Sequence, residues 1–330
     1  MAVTLETIED AARRLAGHAV VTPLLESPLL NGRLGGRLLL KAESLQRTGS
    51  FKFRGAFARL SALAPAERQA GVVAYSSGNH AQAVAAAARM LGLAATIVMP
   101  ADAPAAKLAA TRAWGATIVA YDRYREDREA IGGAIARERG AVLVPPFDDE
   151  GIISDQGTLG LELAAQAAAM GATLDAVLVP CSGGGMTAGV ATALAARMPK
   201  AAVHAVEPVG FDDTARSLAA GRRLANAPLS ADHNSICDAL LVPSPGAITF
   251  EINKRLVKSG LAVSDSEVLD AMAVAFAEFK LVLEPGGAVA LAAVLAGKLD
   301  CRGRTIAAVG SGGNVDGAVF TRALEQNRPR

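Results

Sequence analysis

Short continuous apolar runs alternate with alanine-rich segments of helical length along almost the whole chain. The runs at 38–41, 72–76, 95–99, 117–121, 141–144, 176–180, 203–207 and 305–309 predict strands. Between them, 79–91, 103–114, 124–139, 157–170 and 187–198 predict helices. Strands that are apolar throughout have no wet face, so helices must cover them on both sides. The expected fold class is therefore α/β, built on parallel sheet. No repeat of roughly 20–50 residues is visible, which argues against a solenoid. The polar stretch 222–234, broken by Pro228, predicts a long surface loop. The αβ rhythm never stops, so the pattern by itself draws no domain boundary.

Composition narrows the partners. With 330 residues the chain can bury a full core and fill two lobes. A formal net charge of +1 gives no electrostatic reason to expect nucleic acid or a membrane surface as partner. No apolar run reaches the ~18 residues of a membrane span. Glu6, Glu9 and Asp10 stand where a leader would be basic, so no secretory signal is expected. Cys181, Cys237 and Cys301 are odd in number, far apart and outside any CxxC spacing. That fits reduced thiols in a cytoplasm better than disulfides or zinc. Cys181 adjoins a glycine loop, but no histidine stands near it in sequence to activate it.

Candidate chemistry starts at Ser50-Phe51-Lys52-Phe53-Arg54-Gly55-Ala56. A lysine between two phenylalanines can snorkel to water, pair with a carboxylate, or stay desolvated with a lowered pKa. Lysines with the third fate form Schiff bases with carbonyl compounds. Ser76-Ser77-Gly78-Asn79-His80 joins a strand to a helix. Its hydroxyls and the free N–H groups of a helix start suit a carboxylate, although a serine N-cap needs no ligand.

Ser182-Gly183-Gly184-Gly185-Met186 leaves a strand and enters a helix. Glycines let N–H groups approach an anion and the helix N-terminus adds partial positive charge, so this loop predicts a phosphate cradle. Three successive glycines exceed what a bare turn requires. The loop also fits the loose dinucleotide fingerprint Gly183-x-Gly185-x-x-Ala188, with Glu207 placed as a ribose-binding acid. A NAD-dependent oxidoreductase is thus the alternative of another class, but it leaves Lys52 and the Asn79 motif without a task.

Glu207 also opens an acidic loop with Asp212 and Asp213. Carboxylates there could ligate Mg²⁺ or Ca²⁺, or an aspartate could cap the helix near Thr214. Gly310-Ser311-Gly312-Gly313-Asn314 is a second glycine loop after a strand. Glu284, just ahead of Pro285, suits either a ligand ring or a helix start. Arg128 lies in the charged run 122–129, which reads as a solvated face.

In this order the four motifs resemble the fold-type II pyridoxal-phosphate enzymes, and among them the serine/threonine dehydratase and serine racemase family. The resemblance spans about residues 22–317. It implies two lobes: a large cofactor-binding domain, 1–70 and 148–330, and a small domain, 71–147, inserted in it. The site would lie in the cleft between them. Lys52 is implied to hold pyridoxal phosphate as a Schiff base and, once freed, to remove the substrate α-proton. Ser182, Gly183, Gly184, Gly185 and Met186 would hold the phosphate. Ser311 would face the pyridine nitrogen and Asn79 the 3′-oxygen, with Glu284 near the ring.

Ser76, Ser77, Gly78, Asn79 and His80 are implied to hold the substrate carboxylate, His80 by supporting the loop. Arg128 would take a second carboxylate such as that of 3-hydroxyaspartate. Ser77 would face the ring opposite the lysine, so racemisation is the nearest rival activity. Glu207, the Phe211 carbonyl and Asp213 are the implied ligands of a divalent cation. The implied activity is an ammonia-lyase (dehydratase) converting an amino acid of the L-serine or L-threonine type to a 2-oxo acid and ammonia. The implied assembly is a homodimer. The chain ends soon after Gly317, so no appended regulatory domain is expected.

Overall fold

In the computed structural model, which describes residues 2–326 apart from 77, 104 and 231, the strands sort into two separate sheets. The first third of the chain runs α1 (Leu5–Leu15), β1 (Leu24–Glu26), α2 (Pro28–Leu34), β2 (Arg37–Ala42), α3 (Lys52–Ser61) and α4 (Pro65–Ala70). Next come β3 (Val72–Tyr75), α5 (Asn79–Leu91), β4 (Ala95–Pro100), α6 (Ala105–Ala113), β5 (Thr117–Tyr121), α7 (Arg128–Arg139) and β6 (Val142–Val144). Then follow α8 (Glu150–Ala169), β7 (Ala176–Pro180), α9 (Gly185–Arg197), β8 (Ala202–Pro208) and α10 (Asp213–Ala220). The last part holds α11 (Ala247–Leu256), β9 (Val257–Val263), α12 (Asp265–Val274), α13 (Pro285–Leu295), β10 (Thr305–Gly310) and α14 (Gly317–Gln326).

The larger sheet has the order β1-β2-β10-β7-β8-β9 and the smaller β5-β4-β3-β6. All neighbours are parallel except β1 and β2. The eight predicted strands are all present. Two were missed: β1 is three residues long, and β9 (Val-Lys-Ser-Gly-Leu-Ala-Val) is an edge strand whose polar centre breaks the apolar run. Two predicted helix starts shift to the nearest capping aspartate. Asp127 accepts from the N–H groups of Glu129 and Ala130, so α7 begins at Arg128; Asp149 accepts from Ile152, so α8 begins at Glu150.

Alternate residues of the same strands feed different cores. Leu38, Leu40, Leu178, Ile306 and Ala308 meet α12 and α13, whereas Leu39, Val177, Val179, Ala307 and Val309 meet α8 and α9. That is why these strands are apolar at every position. A third core joins Phe53 and Phe57 of α3 to Val84 and Ala88 of α5 and to Ala74 and Ile97 of the smaller sheet. Helix α3 therefore lies between the two sheets.

Behind α3 sits a group of charges that sequence analysis did not anticipate. Arg54 donates to both oxygens of Glu43 at 2.8 Å and to both of Glu162 at 2.7 and 2.8 Å. Lys41 donates to Glu162 at 2.8 Å, to Gln166 at 2.9 Å and to the Thr22 carbonyl at 2.6 Å. Two cations balance two anions. The side chains of Lys41, Arg54 and Glu43 are at most 1 % exposed. Burial alone would raise the Glu43 pKa, but Arg54 reverses this and holds it below the usual value.

Removing one member strands the others as uncompensated buried charge, at a cost of about 3–5 kcal/mol. Arg54→Ala should therefore lower the free energy of urea unfolding by that amount. Arg37→Ala, which breaks the half-exposed pair with Glu26, should cost about 1 kcal/mol or less. Equal effects of the two substitutions would show that the buried group is not structurally special.

Candidate active site

In open α/β sheets, ligands bind outside the carboxyl ends of the strands. Here the ends of β3, β7 and β10 face one cleft, lined by Ser76, Pro180, Ser182 and Ser311. Lys52 at the start of α3 lines it too, with Gly78, Asn79 and His80 from the start of α5. Gly183, Gly184, Gly185 and Met186, Arg128, and Glu284 complete the set that sequence analysis expected. Ser77 lies outside the described residues. Glu207, Phe211 and Asp213 do not line the cleft; they lie at and just beyond the end of β8.

Lys52 follows neither of its bland fates. Its Nζ donates to the Pro146 carbonyl at 2.6 Å and stands 5.1 Å from the Phe51 ring centroid. Among the described residues no carboxylate pairs with it. Surrounding protein strips water from the amine and lowers its pKa to about 8. The backbone fixes its origin: the Phe51 N–H donates to the Ser311 carbonyl at 3.0 Å, and Ser50 bridges Gly312. The lysine motif and the last glycine loop are thus tied together before any ligand is considered.

The other glycine loop is held from behind. Thr249 Oγ1 and the Gly246 N–H donate to the Gly183 carbonyl at 2.5 and 3.1 Å, and Asn253 Nδ2 donates to the Gly184 carbonyl at 3.3 Å. The first N–H groups of α9 have no intrahelical partner and are left at the cleft. A side chain at Gly183 would overlap the Phe147 ring, so only glycine permits this approach. An anion at this helix start meets N–H groups and the positive end of the helix dipole.

The third motif is capped differently from the serine N-cap alternative. Gly78 is the N-cap of α5 and makes no side-chain cap, while Ser76 Oγ accepts from the Gly78 N–H at 3.2 Å. His80 is buried, and its Nε2 lies 2.9 Å from the Val144 carbonyl. A carbonyl only accepts, so Nε2 carries the hydrogen. Burial first, then the nearby Lys52, pushes the His80 pKa down to about 3. A ring held neutral with its donor occupied supports the loop and does not carry protons near pH 7.

Glu284 is the N-cap of α13, yet its side chain does not cap that helix. Instead it accepts from Asn79 Nδ2 at 2.5 Å, and burial raises its pKa to about 7. Arg128 packs its guanidinium over Tyr75, 5.7 Å from the ring centroid. Asp127 beside it caps α7. Arg128 is among the residues that line the cleft.

Several lining or supporting residues escaped sequence analysis. Lys107 of α6 and Asp238 form an ion pair at 2.6 Å that joins the smaller-sheet side of the cleft to the larger. Thr249 and Asn253 are fully buried polar residues one turn apart on α11, a signal that could have marked them as supports.

In the acidic loop the cap comes from an unexpected residue. Glu207, not Asp212 or Asp213, caps α10: its two oxygens accept from the N–H groups of Thr214 and Ala215 at 3.0 and 2.9 Å. Fully buried and outside the cleft, Glu207 is not placed to bind a ribose, which removes the structural basis of the oxidoreductase alternative.

Comparisons with known proteins agree with this geometry. The family model described as "Pyridoxal-phosphate dependent enzyme" matches residues 15–312. An L-threo-3-hydroxyaspartate ammonia-lyase from a Pseudomonas species is 44% identical over 93% of this chain and 93% of its own. A solved threonine deaminase from T.th. is 46% identical, covering 95% of this chain and 99% of its own, with a TM-score of 0.87. Maize serine racemase is 36% identical over 99% and 98% of the two chains, with a TM-score of 0.91. An amine with a lowered pKa at the cleft wall, a glycine-loop anion cradle and a family match across most of the sequence converge: the chain belongs to the pyridoxal-phosphate-dependent enzymes.

Proposed function

We propose that this protein is a pyridoxal-phosphate-dependent ammonia-lyase that converts a β-hydroxy amino acid to a 2-oxo acid and ammonia, with 3-hydroxyaspartate as the favoured substrate. The observation that carries the reading is a single cleft combining the Lys52 amine, the cradle at α9, the Ser76–His80 loop and a second cation, Arg128. These residues fit the cofactor. Lys52 offers an amine with a pKa near 8 for its aldehyde, and the Ser182–Met186 loop offers N–H groups for its phosphate. Ser311 would serve the ring nitrogen and Asn79 the ring oxygen, with Glu284 alongside.

Bound there, pyridoxal phosphate supplies an electron sink for the pair released when the Cα–H bond breaks. The remaining tasks fall to the chain. Ser76, Ser77, Gly78 and the helix start at Asn79 would hold the α-carboxylate, and His80 keeps that loop in shape. Lys52 Nζ would take the α-proton, which its lowered pKa favours at neutral pH. A hydroxyl at Ser311, unlike a carboxylate, would not keep a proton on the ring nitrogen; the weaker sink favours prompt loss of the β-hydroxyl. Arg128 would pair with a β-carboxylate through two parallel hydrogen bonds, a contact that serine and threonine lack.

Substrate choice is tested by measuring 2-oxo acid and enantiomer formation from serine, threonine and 3-hydroxyaspartate. Arg128→Ala should cut kcat/KM for 3-hydroxyaspartate about 100-fold while changing the other two less than about threefold. Equal effects on all three would remove the dicarboxylate preference and leave a serine/threonine dehydratase.

We also propose that Glu207, Asp213 and the Phe211 carbonyl hold Mg²⁺ or Ca²⁺. Both carboxylates are fully buried, and Asp213 Oδ2 has no hydrogen-bond partner. Burial first, and Asp213 second, push the Glu207 pKa well up. Two carboxylates and a main-chain carbonyl are hard oxygen donors of the kind these cations take. Chelation should lower the melting temperature, with Mg²⁺ or Ca²⁺ restoring it. Indifference to chelator would leave Glu207 as a helix cap alone.

A further inference from the structure

Asn314, the last residue of the final glycine loop, anchors a three-link hydrogen-bond chain that ends in the cleft. Its Nδ2 donates to the Thr48 carbonyl at 2.7 Å and to Asn79 Oδ1 at 2.8 Å. Asn79 Nδ2 in turn donates to Glu284 Oε1 at 2.5 Å. A backbone carbonyl can only accept, so the Thr48 contact decides which end of the Asn314 amide is nitrogen. The second hydrogen of that nitrogen points at Asn79, whose nearer atom must then be oxygen. The nitrogen of Asn79 is left facing Glu284 and the cleft.

The backbone invests in this orientation. Thr48 has φ 60° and ψ 14°, a left-handed conformation that β-branched residues rarely adopt. Gly49 follows at φ 73°, and a Cβ there would stand 2.5 Å from Asn314 Oδ1. The Gly313 N–H closes the arrangement by donating to the Gly49 carbonyl at 2.9 Å. Strained conformations of this kind persist where the surroundings hold them. Here the strain turns the Thr48 carbonyl toward Asn314.

We propose that Asn314 is a positioning residue that locks the Asn79 amide with its N–H, and never its carbonyl, toward the anionic ring oxygen of the cofactor. The assignment rests on the pyridoxal-phosphate reading above. The two ends of an asparagine amide differ little in size, so its hydrogen-bond partners fix which end faces the cleft. Turned over, it would set oxygen against oxygen and against Glu284, whose carboxyl already lies on that side.

The test uses holoenzyme carrying Asn314→Asp, which keeps the shape but loses the donor, and Asn314→Ala, which removes the donor without adding charge. Pyridoxal phosphate affinity is read by fluorescence titration, the chromophore by absorbance against pH, and folding by circular dichroism. Both variants should fold, bind pyridoxal phosphate at least tenfold more weakly and shift the midpoint of the absorbance titration. In an Asn79→Ala background, Asn314→Ala should weaken binding less than about twofold further. Wild-type affinity and an unchanged titration in Asn314→Ala would overturn the assignment. So would a full additional loss in the Asn79→Ala background, which would mean that Asn314 acts by another route. A wild-type protein that takes up no pyridoxal phosphate would overturn the cofactor reading, and this assignment with it.

Discussion

Moving a lysine, an arginine and two glutamates out of water costs several kcal/mol per ion, and only close pairing with full hydrogen bonding offsets it. This chain accepts that cost directly behind Lys52. Arg54 grips Glu43 and Glu162 with both edges of its guanidinium, and Lys41 closes the group against α8 and the Thr22 carbonyl. Because Arg54 and Lys52 share the first turn of α3, the ion group fixes how that helix is rotated. From the other side, the Phe51 N–H is bound to Ser311. Lys52 is thereby held at the wall of the cleft, where packed protein surrounds much of its amine. Its lowered pKa follows from that placement, since no neighbouring charge is needed to account for it.

The cleft opposite is arranged for a ligand with several negative charges. It collects the helix start of α9, the amine of Lys52 and the guanidinium of Arg128. Its acids are contained: Asp238 is paired with Lys107, and Glu284 has a raised pKa and accepts from Asn79. His80 adds no charge, being held neutral by burial. Such a balance suits a phosphate-bearing cofactor together with an acidic amino acid better than a neutral ligand.

Much of this was legible in the residues themselves. The strands at the centre of the larger sheet are apolar at every position because each is covered on both faces, and that covering is what the structure contains. The glycine loops and the Lys52 and Asn79 motifs were visible because each needs unusual residues at fixed positions. What stayed hidden depends on contacts distant in sequence. Arg54 meets Glu162, Asn79 meets Glu284, and Thr249 meets Gly183 across separations that no local pattern encodes. The division into two sheets is not in the hydrophobic pattern, because β3 to β6 repeat the same rhythm as the strands around them; only the family resemblance implied a separate small domain. The acidic loop misled in one respect: a glutamate at a strand end capped the helix that an aspartate beside it was positioned to cap.

The central claim is that Lys52 is the residue covalently joined to the cofactor. The direct measurement is borohydride reduction of protein saturated with pyridoxal phosphate, followed by proteolysis and mass mapping of the pyridoxyl label. The account predicts a stoichiometric label on Lys52 and none on Lys41, which is locked in its ion group. A label on any other lysine as the main product, or no label on protein that retains its cofactor, would contradict it.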